Sequence, residues 1–208
     1  MSEPTLTNFN DSLYYQPSNE LKLSANFYRT NIDGLFYFQS PKHNDGRGFI
    51  SEVVRFPELA TVLGRKFRVK QVNHSRSAEN VVRGMHAEGW NKLVTVISGL
   101  ICSVIVDIRP DSPTYKQVAY FKLGFDHKTD CGTGLFISQG LANSVAVLKG
   151  PASYIYLVDK LYEERDPKDD QALDIFDEAL NIQWPIAKDK IVLSQRDVEA
   201  VRLEKLQK

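Results

Sequence analysis

The sequence predicts an all-β domain, an antiparallel sandwich, barrel or jelly roll, and three observations carry that reading. From Gly34 onward, short runs rich in Val, Ile, Phe and Tyr follow one another, bounded by Gly, Asp, Asn and Pro, which is how strands read. Helical spacing is confined mainly to the end of the chain, so the strand-helix alternation that builds parallel sheets is missing. The run Leu100 to Ile108 alternates cleanly. Leu100, Cys102, Val104, Val106 and Ile108 share one apolar face, while Ser103 and Asp107 lie on the other. A dry face backed by a polar inner one suits a barrel that holds a ligand.

Taken in order, residues 1–33 are polar and weakly patterned, and read as an N-terminal extension that folds against the body or a partner subunit. The body is residues 34–208. Its strands are predicted at Leu35 to Gln39, Phe49 to Val54, Phe67 to Asn73, Lys92 to Ser98, Leu100 to Ile108, Val118 to Leu123, Leu135 to Ser138, Ser144 to Leu148 and Ser153 to Asp159. Gln171 to Leu180 has helical spacing. A second helix is expected from Ser194, with Asp197 at the third helical position of a capping-box-like start. Val198, Val201 and Leu206 fall on one side of that helix and Leu203 lies off it.

A chain of 208 residues is long enough to bury a core without disulfide or metal staples. Lys plus Arg and Asp plus Glu balance at 26 each, so no global field draws the protein to nucleic acid or an anionic membrane. An anionic ligand must be held by local charges. Cys102 sits in an apolar run and Cys131 in a polar, Gly-rich stretch, a spacing that suggests neither a metal knuckle nor a disulfide framework. A reducing cytoplasm is the simplest home. No run approaches the roughly 18 apolar residues of a membrane helix, and the polar N-terminus lacks an export signal's pattern.

The most informative stretch runs from Arg83 through Gly84, Met85, His86, Ala87, Glu88, Gly89, Trp90 and Asn91 to Lys92, Leu93 and Val94, with Gly99 following. Together with Gly132, Ser138, Gly140 and Asn143 it resembles the two-block cupin pattern in spacing. The metal ligands are not kept. The four coordinating positions read His86, Glu88, Lys92 and Asn143, and a charged ammonium cannot ligate. No metal is expected. No Gly-rich dinucleotide fingerprint is present either, so no cofactor is expected.

Within that superfamily the chain resembles the dTDP-4-dehydrorhamnose 3,5-epimerase family from Gly34 to Asp197. The matching blocks are Asp45 to Phe49, Gln71 with Asn73 to Ser77, Arg83 to His86, Lys92 to Val94, Val106 to Arg109, Ser112 to Thr114, Gln183 to Pro185, and Leu193 and Ser194 with Asp197. The resemblance implies a cupin-type antiparallel jelly roll with short C-terminal helices. It also implies epimerisation of a nucleotide-linked 4-keto-6-deoxy sugar in deoxysugar and cell-surface polysaccharide (lipopolysaccharide O-antigen) biosynthesis. Such inversion needs a base on one face of the sugar, an acid on the other and a donor at the enolate oxygen. By the resemblance His86 is the base, Asp197 its orienting carboxylate, Tyr156 the acid and Lys92 the enolate stabiliser. Arg47 and Arg83 match positions that grip the diphosphate, and Gln71, Asn73, Glu52 and Asn143 are further substrate contacts. His43, His74 and His127 receive no catalytic role.

Two departures bear on the outcome. Asn143 stands where the resemblance implies a His, and Ser103 where it implies an Asp on the pocket wall. These changes leave open restriction to a single carbon, or a different nucleotide or a heptose. A sugar-nucleotide 3,4-ketoisomerase and a cupin that binds a nucleotide sugar without catalysis also stay open; retention of His86, Lys92 and Tyr156 together argues against the latter. A homodimer is expected, since the resemblance implies paired sheets and Tyr14, Tyr15, Phe27 and Tyr28 have no obvious place in one jelly roll.

Overall fold

The computed structural model describes residues 9–124 and 131–206, so His127 lies outside the described residues. Along the chain come β1 (Phe27–Arg29), β2 (Leu35–Asp45), β3 (Gly48–Ser51), α1 (Phe56–Leu63), β4 (Gln71–Ser77), β5 (Val82–Ala87), β6 (Lys92–Asp107), β7 (Val118–Gly124), β8 (Cys131–Ile137), β9 (Leu141–Val158), β10 (Gln171–Ala172), α2 (Gln195–Val198) and α3 (Leu203–Leu206). The strands pair antiparallel in the order β1-β2-β8-β6-β9-β5-β10, with β3 on β2, β4 on β9 and β7 on β6. This is the predicted all-β jelly roll.

Its spine is the β6–β9 pair. β6 has 16 residues and β9 has 18, and they stay paired from Lys92 and Val158 to Asp107 and Leu141. Their other neighbours change midway. β6 pairs with β8 over Lys92–Thr95 and with β7 over Leu100–Val106, while β9 meets β5 in its first half and β4 in its second. The two predicted breaks, at Gly99 and at Lys149 to Ala152, are therefore corners within continuous strands. Gly99 allows the first: its φ is +81°, and a Cβ there would lie 2.7 Å from the Ala152 backbone.

Three apolar clusters hold the fold. Val94, Ile101, Ile105, Phe121, Leu135, Val145 and their neighbours fill the space between the curved sheet halves. On the reverse face of Leu100 to Ile108, Ile101 and Ile105 belong to this core and Ser103 and Asp107 are fully buried as well; the polar inner wall lies elsewhere. On the outer face, Cys102, Val104 and Val106 pack under Leu173, Ile175, Leu180, Ile186 and Leu203 of the C-terminal segment. Each such buried side chain contributes about 1.5–3 kcal/mol, which is what straps that segment to the barrel. The third cluster joins Phe27, Phe38, Phe67, Leu93 and Phe136 to Leu59 of α1.

The helix expected over Gln171–Leu180 does not form. Gln171 and Ala172 pair with Ala87 and His86, the Leu173 N–H donates to the Met85 carbonyl, and the Asp174 and Asp177 carboxylates accept from the N–H groups two residues on, a local bonding that competes with helix. The start at Ser194 does form, and the Ser194 hydroxyl accepts from the Asp197 N–H. It lasts one turn, however. Val198 is 65% exposed, and Leu203, off the expected stripe, is 2% exposed. The sequence reading assigns nothing to α1, although Pro57 opens it and Gly64 closes it in the left-handed region.

Residues 9–33 lie against the body of their own chain. Tyr14 and Phe27 are buried, and Tyr15 and Tyr28 pack on the central cluster. The aromatic groups taken as a reason for a dimer are thus covered within one chain.

Candidate functional site

One end of the barrel, where β4, β5, β6 and β9 converge, opens into a pocket of about 260 Å³. β4 contributes Gln71 and Ser75, β5 Arg83 and His86, β6 Lys92, and β9 Asn143, Tyr154 and Tyr156. Tyr162 and Arg165 close one side, and Ser194, Arg196 and Asp197 another. Sheet register sets the spacing: His86 is opposite Asn143, and Tyr156 lies between Asn73 of β4 and Val94 of β6. Gly84 lets β5 come this close, since a Cβ on it would lie 2.6 Å from the Asn143 carbonyl oxygen.

His86 Nε2 is 2.7 Å from Asp197 Oδ1, with the carboxylate side chain 4% exposed and the imidazole 24%. The Ser194 hydroxyl donates to the other Asp197 oxygen at 2.8 Å. Burial pushes the Asp197 carboxyl up, but the bonds from His86 and Ser194 outweigh it and hold the group below its ordinary value. The helix-start position of Asp197 and its role beside His86 are therefore one arrangement: the cap fixes the carboxylate that fixes the ring.

Lys92 is nearly sequestered, its ammonium bonded to the Glu88 carboxylate and, at 2.6 Å, to Asn143 Oδ1. Burial raises the Glu88 carboxyl, yet the adjoining Lys92 charge keeps it below the usual range. Tyr156 is half-buried, and burial, reinforced by the Glu88 charge, pushes its hydroxyl above the ordinary tyrosine value. The Arg83 Nε donates to Ser77 at 2.8 Å, which leaves its terminal nitrogens for a ligand. Gln71 works within the wall: its Nε2 donates to Asn73 Oδ1 at 2.7 Å and its Oε1 accepts from the Tyr162 N–H at 2.9 Å.

Three expected contacts stand outside this pocket. Arg47, its side chain 91% exposed, pairs with Asp45, and Glu52 pairs with Arg55; both lie on or beside the exposed β2–β3 hairpin. Asn73 sits behind Gln71, its Nδ2 buried without a hydrogen-bond partner among the described residues. Ser103 is also no part of the wall. Glu88 supplies a carboxylate there instead, from two residues beyond His86.

Sequence reasoning gave Trp90, Tyr162, Arg165 and Arg196 no role. The Arg165 guanidinium lies 4.7 Å from the Trp90 ring centroid and 4.0 Å from that of Tyr162. It also pairs with Asp170 at 3.0 Å, and Asp170 pairs with Arg196 at 2.7 Å. Trp90 lies within the stretch from Arg83 to Val94, but Arg165 lies in an irregular charged run that carries no periodic signal.

Among the described residues no group of three or more His, Cys, Asp or Glu is placed to hold a metal ion, and no helix is long and apolar enough to cross a membrane. At the four cupin ligand positions Lys92 supplies its own cation, bonded to two of the other three.

Comparison with known proteins gives a consistent result. Residues 29–205 match the family model described as dTDP-4-dehydrorhamnose 3,5-epimerase. The chain is 32% identical over 180 residues to the dTDP-4-dehydrorhamnose 3,5-epimerase of Salmonella typhimurium, covering 85% of this chain and 94% of the relative. It is similar to the Legionella pneumophila dTDP-6-deoxy-D-glucose-3,5-epimerase solved with dTDP-4-keto-L-rhamnose, with a TM-score of 0.77, 31% identity, and coverage of 86% and 93% of the two chains. ChmJ, a 3'-monoepimerase of Streptomyces bikiniensis solved with dTDP-quinovose, gives a TM-score of 0.76 at 27% identity, covering 86% and 88%.

Proposed function

The chain belongs to the dTDP-4-dehydrorhamnose 3,5-epimerase family, and we propose that it inverts carbon 3, carbon 5 or both of a nucleotide-diphosphate 4-keto-6-deoxy sugar by proton transfer between His86 and Tyr156. The observation that carries this reading is the grouping of a carboxylate-held imidazole, a buried ammonium and a half-buried phenol in one pocket. A proton next to the ketone is acidic because the resulting carbanion delocalises onto oxygen. With Nε2 engaged by Asp197, His86 Nδ1 takes that proton. Lys92, with two of its three donors bonded within the protein, offers the third to the enolate oxygen. Tyr156 returns a proton on the opposite face, and Arg83 holds the diphosphate. No step needs a metal, since the Lys92 charge serves where a Lewis acid would.

Asn143 favours reaction at one carbon. An amide locked to Lys92 cannot relay a proton as an imidazole does, so one of two inversions loses a carrier. Incubation with a dTDP-4-keto-6-deoxy sugar in heavy water, followed by proton NMR of the product, tests both points. Deuterium is expected next to the ketone, predominantly at carbon 3. Equal uptake at carbons 3 and 5 overturns the single-carbon reading, a carbonyl moved to carbon 3 identifies a ketoisomerase, and no turnover identifies a binding protein.

The protein acts as a cytoplasmic homodimer in this reading. Cys102 forms no disulfide, as suits a reducing compartment. Phe49 and Ile50 on the β2–β3 hairpin and Val72 on β4 are 53%, 73% and 61% exposed, apolar surface that a two-fold contact would cover. A second copy is also the route by which Arg47 and Glu52 can reach a pocket. Light scattering at micromolar concentration is expected to give twice 23.6 kDa; a monomer sinks the pairing.

A further inference from the structure

Glu88 is a hub of the pocket. Its carboxylate accepts from Lys92 Nζ and, at 3.3 Å, from Trp90 Nε1, and the Arg165 guanidinium is 3.8 Å away. The Glu88 and Lys92 side chains are 14% and 6% exposed. An ammonium this enclosed is costly unless paired, and Asn143 offers it only a neutral oxygen. Without Glu88 the Lys92 head group would have no fixed charge to settle against.

We propose that Glu88 is a positioning residue of the epimerisation, fixing the Lys92 ammonium against the pocket wall and setting the electrostatic surroundings of the Tyr156 hydroxyl. The inference rests on the roles given above to Lys92 and Tyr156. It follows from three placements. Lys92 is bonded to Glu88 and Asn143 together, which leaves one N–H for the substrate. Arg165 is held between the Trp90 and Tyr162 rings and anchored by Asp170, so the far side of Glu88 is closed by a cation that is itself immobilised. Glu88 and Tyr156 line the same pocket, and the Glu88 charge raises the proton affinity of the Tyr156 hydroxyl.

The charged and titratable groups sharing the pocket with Tyr156 are Arg83 and His86 of β5, Glu88 beyond it, Lys92 of β6, Tyr154 of β9, Tyr162 and Arg165 after β9, and Arg196 and Asp197 of α2. Of these, Glu88 and Tyr162 push the phenol up and Arg165 and Arg83 pull it down, alongside the larger effect of burial. Loss of the Glu88 charge therefore moves the ionisation of Tyr156 toward lower pH.

The test compares Glu88→Gln and Glu88→Asp with the wild-type enzyme by kcat, KM and the pH profile of epimerisation. Glu88→Gln is expected to lower kcat roughly tenfold to hundredfold, as misplacement of a reacting group does, with KM within about threefold and the alkaline limb of the profile moved to lower pH. Glu88→Asp keeps the charge but draws it back by one methylene. It is expected to fall between the two in kcat, with the alkaline limb unmoved. Wild-type kcat in either variant, or an unmoved alkaline limb in Glu88→Gln, overturns the proposal. Should Glu88→Gln fail to fold by circular dichroism, the kcat of Glu88→Asp still decides. Absence of turnover in the wild-type protein instead defeats the proposed function itself, before any variant is compared.

Discussion

His86→Ala is expected to abolish uptake of solvent deuterium into the sugar. General acid or base help is worth about 100-fold to 10,000-fold in rate, or roughly 3–5 kcal/mol of barrier, and in the proposed mechanism this residue starts the reaction. One nitrogen of the imidazole is pinned by a carboxylate that is itself held, through Ser194, at the start of α2. Removing the ring leaves Asp197 buried without its partner, and nothing else in that position can take the proton and give it back. The measurement is deuterium content by proton NMR after incubation in heavy water. Exchange near the wild-type rate in His86→Ala would remove this residue from the base role and send the search to other groups of the pocket.

Tyr156→Phe should behave differently. The substitution keeps the ring that packs beside Tyr154, 5.8 Å away between centroids, and deletes only the hydroxyl. The base still takes a proton and returns it to the same face, so label enters without inversion. Epimerised product is expected to fall by about 100-fold or more, while exchange with unchanged stereochemistry persists. The diagnostic quantity is the ratio of exchange to inversion. A ratio equal to that of the wild-type enzyme would show that the phenol does not deliver the second proton.

Much of the strand framework was legible because period-two runs announce themselves one strand at a time. Less legible was what joins them. Gly99 and Lys149 to Ala152 read as breaks, yet both are corners in strands whose pairing continues around them. The apolar face of Leu100 to Ile108 was correctly drawn, but its reverse turned out to be core because the sheet curls over it, which no single strand records. Gln171–Leu180 has helical spacing and still lies extended and turned, since Leu173 and Ile175 are buried by tertiary packing that overrides local preference.

The site divides in the same way. His86, Lys92 and Tyr156 sit on neighbouring strands and came from the resemblance, as did Asp197, for which a helix-capping place was also visible. Arg47 and Glu52 came from it too, but both are exposed and stand outside the pocket of their own chain. Arg165 had no signal at all, because its position depends on a ring three residues before it, Tyr162, and on one 75 residues away, Trp90, that only the fold brings beside it. Glu88 was seen as a vanished metal ligand. Its actual partner is the ammonium that took the place of another such ligand.

The imidazole proposed as the base and its carboxylate are 111 residues apart in the chain, and the carboxylate rides on a single helical turn tied down by the C-terminal strap. The barrel can therefore be intact while the enzyme is silent. Release of that turn, a partial opening cheaper than loss of the whole fold, strips the proposed base of its orienter and leaves the pairing of β1 to β9 in place. Catalytic competence in this reading depends on a latch as well as on the barrel, and under heat or denaturant activity is expected to fall before the strands unpair.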